Sequence, residues 1–195
     1  MTSSSLPVHG QFDTINLKKH CYRSAPVDFA TWSQGIPLEE YAQSTGMRHR
    51  LSRKLAEVKL PDEVRDFFES LSVTVYGLVI TENWCPTTPV ALAVLIHCRE
   101  LSHGRLDVRV FKRDAYPALM DQFLKDGKYR AIPVVAFFDE QFHLLGDIRE
   151  KPSLPEWATL DPEERPIAEA GMDWSELWGR AYMAILRQHI QAGVI

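Results

Sequence analysis

"SVTVYGLVITENWCPTTPVALAVLIHCRE", residues 72–100, decides how this chain folds. Its first third, "SVTVYGLVI" (72–80), is rich in β-branched residues and far too short to span a membrane, so it reads as a buried strand. The apolar run after Pro86 has helical length, which predicts a helix over about 86–102 closed by Gly104. Proline at a first helical position forfeits only an N–H that would lack a partner anyway, and Pro89 still falls within the first turn. Between strand and helix stands Trp84-Cys85, the one place in the stretch where chemistry concentrates.

Working outward, "RLDVRVFK" (105–112) alternates apolar Leu106, Val108 and Val110 with polar neighbours, the period of a strand. A strand, a helix and a second strand make a crossover whose two strands run parallel. "AYPALMDQFLKDG" (115–127) reads as a short helix, with Leu119, Met120, Phe123 and Leu124 on one face and Gly127 at its end. "PVVAFFD" (133–139) and "FHLLGDI" (142–148) are strands joined by a tight polar turn, an antiparallel hairpin. Residues 150–172 hold Pro152, Pro155, Pro162 and Pro166 and read mostly as loop. Asp173 then caps the clearest helix of the chain, with Glu176 at capping-box spacing and Trp174, Leu177, Trp178, Ala181, Tyr182, Ile185, Leu186 and Ile190 on an apolar stripe.

Upstream, residues 1 to about 35 show no sustained period and read as an extended arm. Residues 37–58 turn helical, interrupted at Gly46, and Pro61 starts a second helix whose Asp62 and Glu63 suit the positive end of the helix dipole. The order from residue 72 is therefore β-α-β-α-β-β-α, an α/β arrangement with a mixed four-stranded sheet between helical layers.

Composition narrows the function classes. With 45% hydrophobic and 25% charged residues over 195 positions, the chain has the make-up of a globular protein with a sizeable core. A net charge of −4 gives no footprint for nucleic acid, and the cluster Arg48, His49, Arg50, Arg53 and Lys54 reads as a solvated helix face. No run reaches the roughly 18 apolar residues of a membrane span and the N-terminus lacks a signal-peptide core, so a cytoplasmic location without membrane attachment is expected. Three cysteines, Cys21, Cys85 and Cys98, show neither C-x-x-C nor zinc-like spacing, so neither a disulfide framework nor a metal site is indicated.

Cys85 then stands where a strand meets a helix, a position where unpaired backbone N–H groups favour a thiolate over a thiol. Thr88, one helical turn further on, is placed to donate a hydrogen bond to the sulfur, but it cannot resolve a mixed disulfide. The plainer reading of the same residues is a buried cysteine beside a core tryptophan. In "RAIPVV" (130–135) a proline enters a strand at its first residue, a position at which a cis Ile132–Pro133 bond would be a deliberate feature.

Together, "ITENWCPTTP", "VRVFKRD", "LMDQFLKDGKYRAIPVVAFFDE" and "LLGDIREKP" resemble the thioredoxin superfamily, and within it bacterial thioredoxin-like proteins with a helical N-terminal extension. The resemblance spans about residues 37–155 and implies a three-layer α/β/α fold. It divides the chain into an arm and helical extension (1–70) and a thioredoxin-like domain (71–195). It makes Cys85 the nucleophile in a W-C-x-x-T site and Trp84 its aromatic neighbour. Pro133 becomes a cis-proline facing the sulfur, and the Ile132 backbone is left to pair with an extended substrate. Pro86 directly after the nucleophile is similar to glutaredoxins, whose single-cysteine members complete the cycle with a small thiol. That implies no bound cofactor, a low-molecular-weight thiol as co-substrate, and protein or small-molecule disulfides as partners.

The departures bear on activity. Thr88 replaces the resolving cysteine, Val79 stands where thioredoxins keep a buried acid, and Pro86-Thr87 replaces a Gly-Asp pair usual among near relatives. Cys98 lies thirteen residues along the same helix, roughly 20 Å away at about 1.5 Å per residue, whereas a disulfide needs Cα atoms within about 7 Å. Three readings follow: a monothiol oxidoreductase, a non-catalytic module binding peptides beside Pro133, and a sensor in which Cys85 is oxidised and capped.

Overall fold

The computed structural model describes residues 27–152, 171, 173–193 and 195. Asp28 accepts a hydrogen bond from the Thr31 backbone N–H at 2.8 Å and thereby starts α1 (Phe29–Trp32). The short strand β1 (Ile36–Pro37) and α2 (Leu38–Ala42) follow, and the chain breaks around Gly46 before α3 (Arg48–Glu57). Helix α4 (Asp62–Glu69) carries its acidic pair in the first turn, with Pro61 one residue outside. Then come β2 (Val75–Thr81), α5 (Thr88–Leu101) and β3 (Leu106–Lys112). Helix α6 (Pro117–Met120) runs into a 3₁₀ turn at Asp121–Phe123. Strands β4 (Val134–Phe138) and β5 (Leu144–Arg149) and the long α7 (Trp174–Gln191) complete the order.

The sheet is mixed, as expected, but it has five strands rather than four, in the order β1-β3-β2-β4-β5. The additional strand is β1, antiparallel to β3 through Ile36↔Val110 and Pro37↔Arg109. Its position at the sheet edge tolerates proline, which has no N–H to give a further neighbour. Strands β2 and β3 are parallel, and β4 pairs antiparallel with both β2 and β5. A Cβ on Gly77 would stand 2.9 Å from Val108 Cγ2 on the paired strand, so this β2 position takes no larger residue without displacing its neighbour.

Strand alternation sends side chains into two cores. Val75, Val79, Val108, Val110, Val135 and Phe137 join apolar residues of α2, α3, α4, α5 and α7 on one face. Leu78, Ile80, Phe111, Val134, Ala136 and Phe138 meet Trp32, Leu119, Met120, Phe123 and Phe142 on the other. The result is an α/β/α three-layer fold. Leu38, Tyr41, Leu51 and Phe68 bury themselves in the same core as α5, so the early helices pack as part of the sheet's cover.

Three local expectations change. Of the supposed extended arm, the described part from Val27 to Gly35 folds back: Trp32 is 2% exposed and its indole N–H donates to the Gly77 carbonyl at 2.8 Å. A four-residue helix is too short to show a period, which is why the sequence pattern concealed it. The helix expected to reach Gly127 ends at Met120 and its 3₁₀ turn, and Leu124 is already extended. Gly127 (φ +67°) instead occupies a turn in which the Lys125 N–H donates to the Tyr129 carbonyl at 2.8 Å. At α7, Asp173 does cap, accepting from the Ser175 N–H at 2.8 Å, but Glu176 completes no capping box; it takes the Arg180 Nε–H at 2.8 Å. The proline-rich stretch from residue 153 to 170 lies outside the described residues, as does Cys21.

Candidate functional site

Strand β2 ends at Thr81 and α5 does not begin until Thr88, two residues later than the sequence pattern suggests. Pro86 is therefore an exposed loop residue, and Pro89 is the proline that sits at the start of the helix. Cys85 lies in the loop, three residues before the first helical residue, in a turn where its N–H donates to the Glu82 carbonyl at 3.1 Å.

The later start exchanges the roles of two threonines. Thr88, expected at the sulfur, is fully buried and shares a 2.5 Å hydrogen bond with the Thr81 hydroxyl, tying the end of β2 to the first residue of α5. Thr87 is the hydroxyl beside the thiol, with Oγ1 3.3 Å from Cys85 Sγ. The sulfur also faces the Ile132 carbonyl, to which the thiol donates at 3.6 Å. The Ile132–Pro133 bond is cis, and both residues are buried where the chain enters β4. Loop and cis peptide thus meet at the sulfur, and Cys85 itself is only 2% exposed.

Trp84 is not a core residue. It is 60% exposed and lies under the Arg113 guanidinium, 5.0 Å from ring centroid to Cζ. Val79 is buried in the core between sheet and helices, and the Glu82 carboxylate accepts the Asp114 backbone N–H at 3.0 Å. Cys98 is buried in the same core, where burial pushes its thiol far up. His97 is occupied at the Leu55 carbonyl, 3.2 Å from Nε2, away from the loop.

Composition and spacing did not single out three residues that hold the loop. Arg50, counted among the solvated cations of α3, turns its guanidinium inward: Nη1 donates to the Asn83 carbonyl and Nη2 to the Cys85 carbonyl at 2.7 Å. The Asn83 side chain in turn accepts from the Tyr41 hydroxyl at 2.7 Å. Burial, and then the charges of Glu82 and Cys85, push the Tyr41 phenol up to about 12, while Arg50 opposes the rise. Gly46 belongs to this arrangement, since a Cβ there would stand 2.6 Å from Asn83 Nδ2. The only signal in the sequence was this glycine between two helical segments; backbone carbonyls that receive an arginine leave no pattern.

A protein-family model described as thioredoxin matches residues 35–156. No curated protein sequence matches the chain. Among solved structures, a protein of unknown function from Pseudomonas aeruginosa is similar over 83% of this chain and 98% of its own, with 21% identity and a TM-score of 0.67. An HIV epitope scaffold is similar over 83% of this chain and 99% of its own, with 20% identity and a TM-score of 0.63. At these identities the two structures speak for the fold alone. Among the described residues, no helix is long and apolar enough to cross a membrane.

Proposed function

The chain belongs to the thioredoxin family, and from that premise we propose that it is a thiol–disulfide oxidoreductase working through Cys85 as its single nucleophile. One observation carries the reading: Cys85 Sγ sits between the Thr87 hydroxyl at 3.3 Å and the carbonyl preceding cis-Pro133 at 3.6 Å. A buried cysteine with no chemistry would need neither neighbour, because apolar packing suffices for it.

In the reaction, the Cys85 thiol loses its proton to solvent and the thiolate attacks one sulfur of a bound disulfide. The old S–S bond breaks, the departing sulfur leaves as a thiolate, and a mixed disulfide joins Cys85 to the substrate. With Thr88 in place of a second cysteine, a small thiol completes the cycle. Its thiolate attacks the sulfur that Cys85 carries, releasing Cys85 as a thiolate and leaving that sulfur in a disulfide with the small thiol; on a peptide–small-thiol mixed disulfide, Cys85 takes up the small thiol and frees the peptide. Thr87 stabilises the sulfur anion by donating its hydroxyl, and Thr88 holds the loop from below through Thr81. When Cys85 turns toward substrate, the Ile132 carbonyl is released to pair with an extended peptide, and the exposed Trp84 and Pro86 flank the point of entry. A reducing cytoplasm, rich in small thiols, suits this cycle.

The test is turnover of a mixed disulfide between a peptide cysteine and a small thiol, with that thiol in excess. Wild-type protein should accelerate it and Cys85→Ser should fall to the uncatalysed background; a wild type no faster than background overturns the proposal. The 2% exposure of Cys85 favours a second reading, a peptide-binding module with an inert thiol. Under that reading peptide capture is the same in wild type and Cys85→Ser, and no mixed disulfide forms.

A further inference from the structure

The cation that reaches the nucleophile loop comes from outside it. Arg50 sits on α3, and the forked guanidinium spans two carbonyls of the turn, those of Asn83 and Cys85. Such a planar fork fixes two acceptors at once, which a lysine amine on a flexible stem does not reproduce. Tyr41 from α2 adds a third tether through the Asn83 side chain. The loop is therefore held by the early helices as well as by its own strand and helix.

Fixing the Cys85 carbonyl fixes the backbone from which the side chain departs toward Ile132. We propose that Arg50 is a positioning residue for Cys85, aiming the thiol through the two carbonyls that its guanidinium holds. The proposal rests on the reading of Cys85 as the nucleophile, and it gives the helices before residue 70 a part in the chemistry of a loop more than thirty residues away.

The test is the rate of Cys85 alkylation by iodoacetamide against pH, in full-length protein with Cys21 replaced by serine, followed by mass spectrometry of the modified residue. This reads the thiol directly and requires no disulfide exchange. Arg50→Gln loses the fork and should lower the plateau rate of alkylation by roughly tenfold. Arg50→Lys keeps the charge but not the fork, and should still react about threefold more slowly than wild type at the plateau. Circular dichroism establishes that each variant is folded; if Arg50→Gln is not, Arg50→Lys decides, and a profile identical to wild type overturns the proposal. A reactive wild-type thiol whose plateau rate is unchanged in a folded Arg50→Gln overturns the assignment of Arg50 alone. A wild-type Cys85 that resists the reagent at every pH overturns it together with the nucleophile reading.

Discussion

At the scale of single residues, adjacent threonines divide two tasks. Thr88 shares its hydroxyl with Thr81 inside the protein, so Thr88→Val should leave a buried hydroxyl without its partner and cost about 1–3 kcal/mol, read from the urea midpoint. Thr87→Val, on a half-buried loop position, should move stability by no more than about 0.5 kcal/mol while slowing alkylation of Cys85. The opposite pattern would mean that the hydroxyl one turn along the helix serves the sulfur after all. Sequence spacing pointed to Thr88 because Pro86 looked like the first helical residue. Shifting the start by two residues rotates the helix by about 200°, enough to carry a side chain from one side to the other. Cys85, Ile132 and Pro133 were legible because strand ends and proline leave marks in a sequence. Arg50 was not, because a period tells which residues share a face and is silent on what a cation at the edge of that face finds there.

At the scale of elements, legibility follows length. Helix α7, with eighteen residues and a continuous apolar stripe, declares itself; β1, with two residues, and α1, with four, contain less than one period of any pattern. The cap of α7 gives a pH-dependent prediction. Burial pushes the Asp173 carboxyl up, but hydrogen bonds from the Ser175 hydroxyl and backbone N–H, assisted by the Glu176 N–H and the Lys59 charge, outweigh it, so the group lies below its ordinary 3.8. A depressed folded pKa stabilises the native state above the unfolded value, and the contribution disappears as pH falls through the folded one. Asp173→Ala should therefore cost about 1 kcal/mol near neutral pH, with the gap to wild type narrowing in acid, once the pH falls well below 3.8. Urea titrations of both proteins at neutral and acid pH check it; a gap that stays constant would mean that the cap works through shape and not charge.

For the whole molecule, Trp32 joins the chain's early segment to the sheet. Its indole N–H donates to the Gly77 carbonyl, its ring lies 4.8 Å from Tyr76 and 5.9 Å from Phe142, and the Arg109 guanidinium stacks over it at 5.0 Å. Trp32→Ala should cost about 3–5 kcal/mol in chemical denaturation. Gly77 and Tyr76 lie toward the opposite end of β2 from the thiol loop, so the alkylation profile of Cys85 should stay that of wild type in the folded variant. The early segment thus reaches two places, with Trp32 bonded near the start of β2 and Arg50 bonded to the loop that carries Cys85. The same segment supplies β1, and its shortness bears on how copies of this chain meet one another. On one border β1 pairs with two of the seven residues of β3 and ends in proline, and the other border, β5, carries the Asp147–Arg149 ion pair. Among the described residues, a proline without an N–H on one border and charge on the other are features that discourage strand addition between crowded copies.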